Sequence, residues 1–173
     1  MWDRVTMIRW ANEGPRSAQG LVWFALFDSL IGMLDRFLKA QEKTYADALA
    51  ELKAGRKRGH WIWWVFPQMR GLGTSEYSVF YGIVDEAEAL AYLQHPVLGA
   101  RYRECVAIVH GHLCQGSVDP LTLMGSEVDV MKLRSSLVLF LRVAPSAENT
   151  FRTQVKETLA VLDASAEHSG SLS

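Results

Sequence analysis

"LDRFLKAQEKTYADALAELKA" (residues 34–54) is the most regular stretch of the sequence, and it sets the fold class. Apolar side chains return in it at spacings of three, four and seven residues, which places them on one face of an α-helix. That face consists of Leu34, Phe37, Leu38, Tyr45, Ala48, Leu49 and Leu52. Gly55 follows as a helix stop. The pattern predicts an amphipathic helix that begins at Leu34.

The sequence after Gly55 is also dominated by helical patterns. Further helices are predicted within residues 75–83, 85–95, 96–113, 117–126, 127–141 and 146–162. The apolar run 61–66 fits a buried strand or a buried helix, and Pro67 would end such a helix near Val65. Hairpin turns such as Asn-Gly are absent from the sequence. We therefore predict an all-α protein, a compact single-domain multi-helix bundle of about seven helices.

The two ends of the chain differ in composition from this domain, which is predicted over residues 33–162. Residues 1–32 are predicted to be an N-terminal extension. Asp28 makes a transmembrane span costly, and no signal-cleavage site follows. Two interpretations stay open: an added helix with Leu21, Phe24, Leu30 and Leu34 on one face, or an upstream start that is mis-assigned ahead of Met33. Residues 163–173 are predicted to be a disordered tail.

Charge and cysteine content bound the class of protein. The net charge of −1 gives no overall electrostatic reason to bind nucleic acid or an anionic membrane. The two cysteines are too few for a disulfide framework, so free thiols in a reducing, cytoplasmic compartment are predicted. The oligomeric state is not indicated by the sequence.

"GHWIWWVFPQ" (residues 59–68) holds half of the six tryptophans and is the first candidate site. Three tryptophans cannot all be buried on one helical face, and each buried indole N–H needs a partner. One interpretation is a core segment with one residue reaching solvent. The other is a stacking wall for a planar ligand beside the cationic turn 56–58, with ligand contacts from His60, Trp61, Trp64 and Gln68.

"HPVLGAR" (residues 95–101) is the second candidate, because a helix N-terminus offers free N–H groups to an anion. His95 precedes the predicted helix, and Arg101 lies in its second turn. Both are predicted as ligand-binding residues. The alternative is that His95 caps the helix while Arg101 pairs with an acid such as Glu104.

"DVMKLRSS" (residues 129–136) is the third candidate. Asp129 and Lys132 are three residues apart, so they share a helix face that Ser136 continues. Charges on an otherwise apolar helix are expensive unless they are paired. We predict that this face opens toward the tryptophans, with Asp129 and Lys132 as catalytic candidates and Ser136 as a ligand contact. A buried ion pair that fixes helix register is the alternative.

The spacing of His and Cys residues predicts no metal site and no cofactor. His110 and His112 point to different sides of a helix, and Cys105 and Cys114 complete no zinc spacing. "GLG" at residues 71–73 lacks the further glycine and lysine of phosphate-binding loops.

Three stretches, "HWIWWVFPQMRGLG", "EALAYLQHPVLGARYRECV" and "VDVMKLRSSLVLF", resemble the bacterial domain-of-unknown-function family 1810, some of whose members are labelled calpastatin. The resemblance covers residues 33 to about 160 and implies a small, mostly helical, single-domain protein. It implies no established activity. Val138 departs from the family, which has threonine there, and the last helix of the family is usually longer.

These observations predict a pocket that binds a nucleotide-like or phosphorylated small molecule, and they leave open whether the molecule is turned over. The alternative is a non-catalytic interaction module that meets a protein partner through an exposed aromatic patch. A concave pocket where the tryptophans, His95 and the Asp129–Lys132 pair meet would favour the first hypothesis.

Overall fold

The computed structural model describes the backbone of residues 18–170 and the side chains of residues 32–167. By packing, the chain divides into two units, Met1–Asp35 and Arg36–Ser173. The helices are α1 (Ala18–Lys53), α2 (Ile62–Val65), α3 (Glu76–Phe80), α4 (Glu86–Gln94), α5 (Leu98–Cys114), α6 (Pro120–Met124), α7 (Glu127–Val143) and α8 (Asn149–Gly170). Within residues 18–170 there is no strand, so the all-α prediction is confirmed.

The helix bounds follow local sequence signals at most junctions. Ser75, Asp85, Asp119 and Ser126 each cap the helix that follows, accepting a backbone N–H with the side chain. The ambiguous run 61–66 forms the short helix α2, which ends at Val65 ahead of Pro67. Within residues 18–170 the predicted pattern of helices is therefore present, with three short helices between five long ones.

Two predicted helix ends differ from the structure. The helix predicted to begin at Leu34 begins at Ala18, because no proline lies between Pro15 and Pro67 and single glycines weaken a helix without ending it. Residues 163–170 continue α8, where a disordered tail is predicted, because alanine and glutamate favour the helix up to Gly170. Residues 1–17 and 171–173 lie outside the described residues, so the predictions that fall on them stay predictions.

A cluster of aromatic rings forms the centre of the second unit. Phe66, Tyr92, Tyr102 and Phe140 are fully buried and belong to four different segments. The rings of Tyr102 and Phe140 are 4.2 Å apart, and those of Phe66 and Tyr102 are 5.5 Å apart. These contacts fix α7 against α4 and α5, which positions the N-terminal half of α7 for the site described below.

The buried amide of Gln41 links helices that are distant in sequence. Its Nε2 donates to the carbonyl oxygen of Trp64 (2.7 Å) and to the hydroxyl of Tyr92 (2.8 Å). Its Oε1 accepts from Arg101 Nη1 at 3.3 Å. One side chain of α1 thus satisfies polar groups of α2, α4 and α5.

Among residues 18–170, one β-bridge closes the segment between α2 and α4. Met69 pairs with Ile83 in parallel. The amide of Ile83 donates to Gln68 O, and the amide of Arg70 donates to Ile83 O, each at 2.8 Å. Residues 71–82 therefore leave and rejoin the domain at one point. In the part of the chain that the structure describes, no helix is long and apolar enough to cross a membrane.

Candidate functional site

A cleft of about 560 Å³ lies beside the N-terminal half of α7. Residues of α2, of the segment 68–82 and of α7 line it. They are Trp63, Gln68, Met69, Leu72, Gly73, Thr74, Ser75, Ser78, Tyr81, Gly82, Val128, Met131, Lys132 and Ser135. The volume falls within the range of small-molecule sites. Its walls combine aromatic and apolar side chains with hydroxyl groups and one ammonium group.

Lys132 forms the charged edge of this cleft, and Asp129 pairs with it from outside the lining. Lys132 Nζ lies 2.8 Å from Asp129 Oδ1 and 3.9 Å from the centre of the Trp63 ring. The α7 cap positions the pair, because Ser126 Oγ accepts the amide of Asp129. Asp129 and Lys132 contact each other, as their spacing predicts, and Lys132 lies over the ring of one tryptophan, Trp63. That the pair serves a ligand stays a prediction.

Lys57 forms a second ion pair with Asp129, at the other carboxylate oxygen. Its Nζ is 2.5 Å from Asp129 Oδ2, and its side chain is only 6% exposed. Burial acts to raise the pKa of Asp129, but the two lysines lower it, and the net shift is downward. Asp129 is therefore ionised. The cationic turn 56–58 is not uniformly solvated, since Arg56 and Arg58 are exposed while Lys57 is buried.

The three tryptophans of residues 59–68 separate into different roles. Trp61 is buried, and its Nε1 donates to Glu51 at 2.7 Å. Trp64 is half-buried, and its Nε1 donates to the hydroxyl of Thr44 at 2.8 Å. Trp63 alone among them lines the cleft. The proposed stacking wall is thus one indole, and the other two anchor α2 to α1.

Four other predicted ligand contacts lie away from the cleft. His60 is exposed outside it. His95 Nδ1 accepts the amides of Val97 and Leu98, so His95 caps α5 as the alternative interpretation states. Arg101 bonds Gln41 and stacks over Tyr45 at 4.5 Å rather than pairing with Glu104. Ser136 is buried, with its Oγ 3.1 Å from the Tyr102 hydroxyl.

Gln68 is the predicted contact that does lie in the cleft. Its Nε2 atom is buried, and it has no hydrogen-bond partner among the side chains and backbone of the described residues. A buried N–H without an acceptor costs free energy, so it calls for an explanation. An acceptor atom on a bound molecule would supply the missing partner.

Several lining residues were not predicted as site residues. Tyr81 and the hydroxyl residues Thr74, Ser75 and Ser78 come from the segment that carries the glycines at 71 and 73. Ser135 lies one turn after Lys132 on α7. The glycines at 71 and 73 mark a loop in the sequence, and a loop of this kind is a common wall of a binding site. The bridge between Met69 and Ile83, which folds the loop back beside α7, leaves no pattern in the sequence.

Metal-ligating side chains gather at a different place. Among the described residues, His110, Cys114 and Glu157 form the group whose ligand atoms all lie within 4.8 Å of one another. Cys105 is buried, and burial raises the pKa of its thiol to about 12, so it is not a nucleophile at neutral pH. His112 instead contacts the hydroxyl of Ser117.

The helices form an all-α domain, and the cleft is a candidate small-molecule site within the residues that the structure describes. The chain belongs to the family described as "Protein of unknown function (DUF1810)", which matches residues 32–165. It is similar to the conserved hypothetical protein Rv1873 from Mycobacterium tuberculosis, whose crystal structure was solved at 1.38 Å. The identity is 45%, with 73% of this chain and 84% of that chain covered and a TM-score of 0.65. No curated protein matches. These findings confirm the family resemblance and assign no ligand.

Proposed function

We propose that the cleft binds a small anionic molecule, of nucleotide-like or otherwise phosphorylated type. The observation that carries the proposal is the convergence of Lys132, Trp63 and Gln68 on one cavity. Lys132 supplies positive charge, and Trp63 and Tyr81 supply flat apolar surfaces for a ring. The unpaired Nε2 of Gln68 supplies a donor for a carbonyl or ring nitrogen.

The balance of charge supports an anionic ligand. Lys57 lies between the carboxylates of Asp129 and Glu51, away from the cleft lining. Lys132 is the one charged side chain among the lining residues that the structure describes, so the charge that faces the cleft is positive. An ammonium group has three N–H donors, and the contact with Asp129 uses one. Lys132 can therefore contact a phosphate while it stays bonded to Asp129.

Binding is better supported than turnover. A general base works best when its pKa lies near the working pH. The two lysines hold the pKa of Asp129 below its usual value, so its carboxylate is a weak base. In this proposal Asp129 orients Lys132 and does not accept a proton. The free thiols of Cys105 and Cys114 fit a cytoplasmic setting, where phosphorylated metabolites are abundant.

A protein-interaction surface is the second candidate, and exposed apolar side chains favour it. Leu72, Val128 and Met131 line the cleft yet are 63%, 53% and 60% exposed. Tyr77 and Phe80 add two exposed rings on α3. If this surface binds a protein partner, size-exclusion chromatography of the mixture should show a complex. Leu72→Ser and Met131→Ser should disrupt that complex.

Calorimetric titration tests the ligand proposal directly. The panel consists of adenosine, its mono- and diphosphates, ADP-ribose and a sugar phosphate. We expect phosphorylated members to bind and the nucleoside to bind more weakly, because Lys132 contacts the phosphate. Lys132→Met should weaken binding by about 10- to 100-fold, the value of a charge-assisted hydrogen bond. Gln68→Leu should weaken it less.

Lys43→Met is the matched control, since Lys43 is an exposed lysine of α1 outside the cleft. It should bind as the wild type does. Equal affinity of Lys132→Met and Lys43→Met for the best phosphorylated ligand would overturn the assignment of the site. Binding of no panel member would overturn the class of ligand.

A further inference from the structure

Three side chains of different chemistry meet along the line where α5 packs on α8. His110 and Cys114 are four residues apart on α5, so they lie one above the other on the same face. Glu157 reaches them from α8, with Oε2 2.7 Å from His110 Nε2. Imidazole, thiol and carboxylate ligand atoms all lie within 4.8 Å of one another. None of these residues lines the cleft.

The positions of the two backbones are fixed by the core beneath them. Val109 and Leu113 of α5 and Val155 of α8 are buried. His110 and Cys114 each follow one of these buried residues, and Glu157 lies two positions after Val155. The ligand groups therefore stand at the rim of a packed helix–helix interface. Their side chains can adjust while the helices that carry them stay in place.

We propose that His110, Cys114 and Glu157 form a zinc-binding site. Zinc takes nitrogen, sulfur and oxygen ligands at about 2.0–2.3 Å, which at a tetrahedral angle puts ligand atoms roughly 3.3–3.8 Å apart. The observed separations, from 2.7 Å for the His–Glu contact to a limit of 4.8 Å for the group, bracket that spacing. Small rotamer changes would suffice to reach it.

The donor set selects the class of metal. Calcium and magnesium prefer oxygen ligands only, so an imidazole and a thiol disfavour them. Zinc accepts all three groups and would replace the thiol proton of Cys114, which is released to solvent. Three protein ligands leave a fourth position for water. The sequence suggested no such site, because Glu157 lies 43 residues beyond Cys114 and no short spacing connects them.

Zinc titration against a chromophoric chelator, on the full chain, tests the proposal. We expect equimolar binding, weakened by about tenfold or more in Cys114→Ser and in Glu157→Gln. His112→Gln and Glu167→Gln are the controls, because they change a histidine of α5 and an exposed acid of α8 outside the group. Both controls should bind zinc as the wild type does.

Cobalt substitution gives a readout that does not depend on variants. Cobalt bound in place of zinc should show the charge-transfer absorption of a cobalt–thiolate bond, and Cys114→Ser should remove it. A cobalt complex without that absorption would overturn the proposal. So would zinc affinity that is the same in Cys114→Ser, Glu157→Gln and the two controls. Loss of phosphate-ligand binding at the cleft would leave this site unaffected.

Discussion

The carboxylate of Asp129 pairs with the ammonium groups of Lys57 and Lys132. The Lys57 side chain is buried, with 6% of it exposed. Asp129→Asn removes the carboxylate that contacts the buried Lys57 directly, and we expect a loss of about 3 kcal/mol in the free energy of unfolding. Lys132→Met should change it by less than about 1 kcal/mol, because Asp129 keeps Lys57. Urea denaturation at neutral pH measures both.

Asp163→Asn is the matched control for Asp129→Asn. Asp163 pairs with Arg134 at 2.6 Å, but both side chains are 49% exposed. The loss should stay within about 1 kcal/mol, the value of a surface ion pair. Similar losses for Asp129→Asn and Asp163→Asn would show that Lys57 gains little from its buried partner.

The tryptophans should differ sharply when each is replaced by alanine. Trp61 is 2% exposed and bonded to Glu51, so Trp61→Ala should cost about 3–5 kcal/mol. Trp63 is only half-buried at the cleft, so Trp63→Ala should cost clearly less and should weaken ligand binding instead. Thermal unfolding and titration of the two variants check this order. Equal losses would place Trp63 in the core.

At the residue scale the sequence predicted contacts within one helix better than it predicted which side chains reach the cleft. Spacing was enough to place Asp129 beside Lys132, because three residues along a helix determine the geometry. It could not tell which tryptophan reaches the cleft, since the indole partners Glu51 and Thr44 lie on another helix. The burial of Lys57 was not predicted either, because its partner Asp129 lies on α7, far away in the sequence.

His95 gives the α5 terminus a dependence on pH. Its Nδ1 accepts two backbone amides, and burial lowers its pKa below the usual 6.5. The unfolded chain therefore takes up the proton first, and stability should fall as the pH drops below about 6.5. His95→Asn keeps a capping acceptor without titrating. Denaturation at pH 7 and about pH 5 should show a smaller loss for this variant than for the wild type, and equal losses would contradict the assignment.

Two glycines of α5 should respond in opposite ways to alanine. A Cβ at Gly99 would lie 1.9 Å from the carbonyl oxygen of Leu93, where α4 ends against α5. Gly99→Ala should therefore lower the free energy of unfolding by more than ordinary overpacking does, which costs about 1–3 kcal/mol. A Cβ at Gly111 meets no atom within 4 Å, and Gly111→Ala should stabilise by about 1 kcal/mol through helix propensity. Thermal unfolding of the two variants tests the contrast.

Element type was predictable because caps and helical spacing are local. Ser75 and Asp85 were sufficient to start α3 and α4 where they begin. The ends at Ala18 and Gly170 were not predicted, since residues that favour a helix continue beyond the amphipathic pattern from which the boundaries were taken. Gly99 gives no sign of its close contact in the sequence, because the atom it meets belongs to the preceding helix.

Gln41 joins residues of the second unit that are up to 60 positions apart in the sequence. Gln41→Met would leave Arg101 Nη1 without its acceptor and Trp64 O without one of its donors. We expect a loss of about 1–3 kcal/mol. Gln115→Met, at an exposed position, should lie within about 0.5 kcal/mol of the wild type. If Gln41→Met loses no more stability than Gln115→Met, the hydrogen bonds of Gln41 add nothing to the stability of the protein.

At the scale of the molecule the sequence predicted the class of fold but not its assembly. Helical periodicity carries no information on which helix packs against which. The cleft depends on α7 lying beside residues 68–82, and the zinc-binding group depends on α5 lying beside α8. Both sites combine residues that are near in the sequence with residues that only tertiary packing supplies.

The bridge between Met69 and Ile83 makes residues 71–75 a segment whose length can change. Gly82 belongs to this closure, since a Cβ there would lie 2.6 Å from Ser78 O and 2.9 Å from Arg70 Cα. With both ends held together, residues can be added to or removed from 71–75 without displacing α2 or α4. Lengthening a closed loop costs little, about 0.6 kcal/mol per doubling. A change in the length of this loop would therefore reshape one wall of the cleft while the helices keep their places, which makes the loop a natural place to insert new sequence.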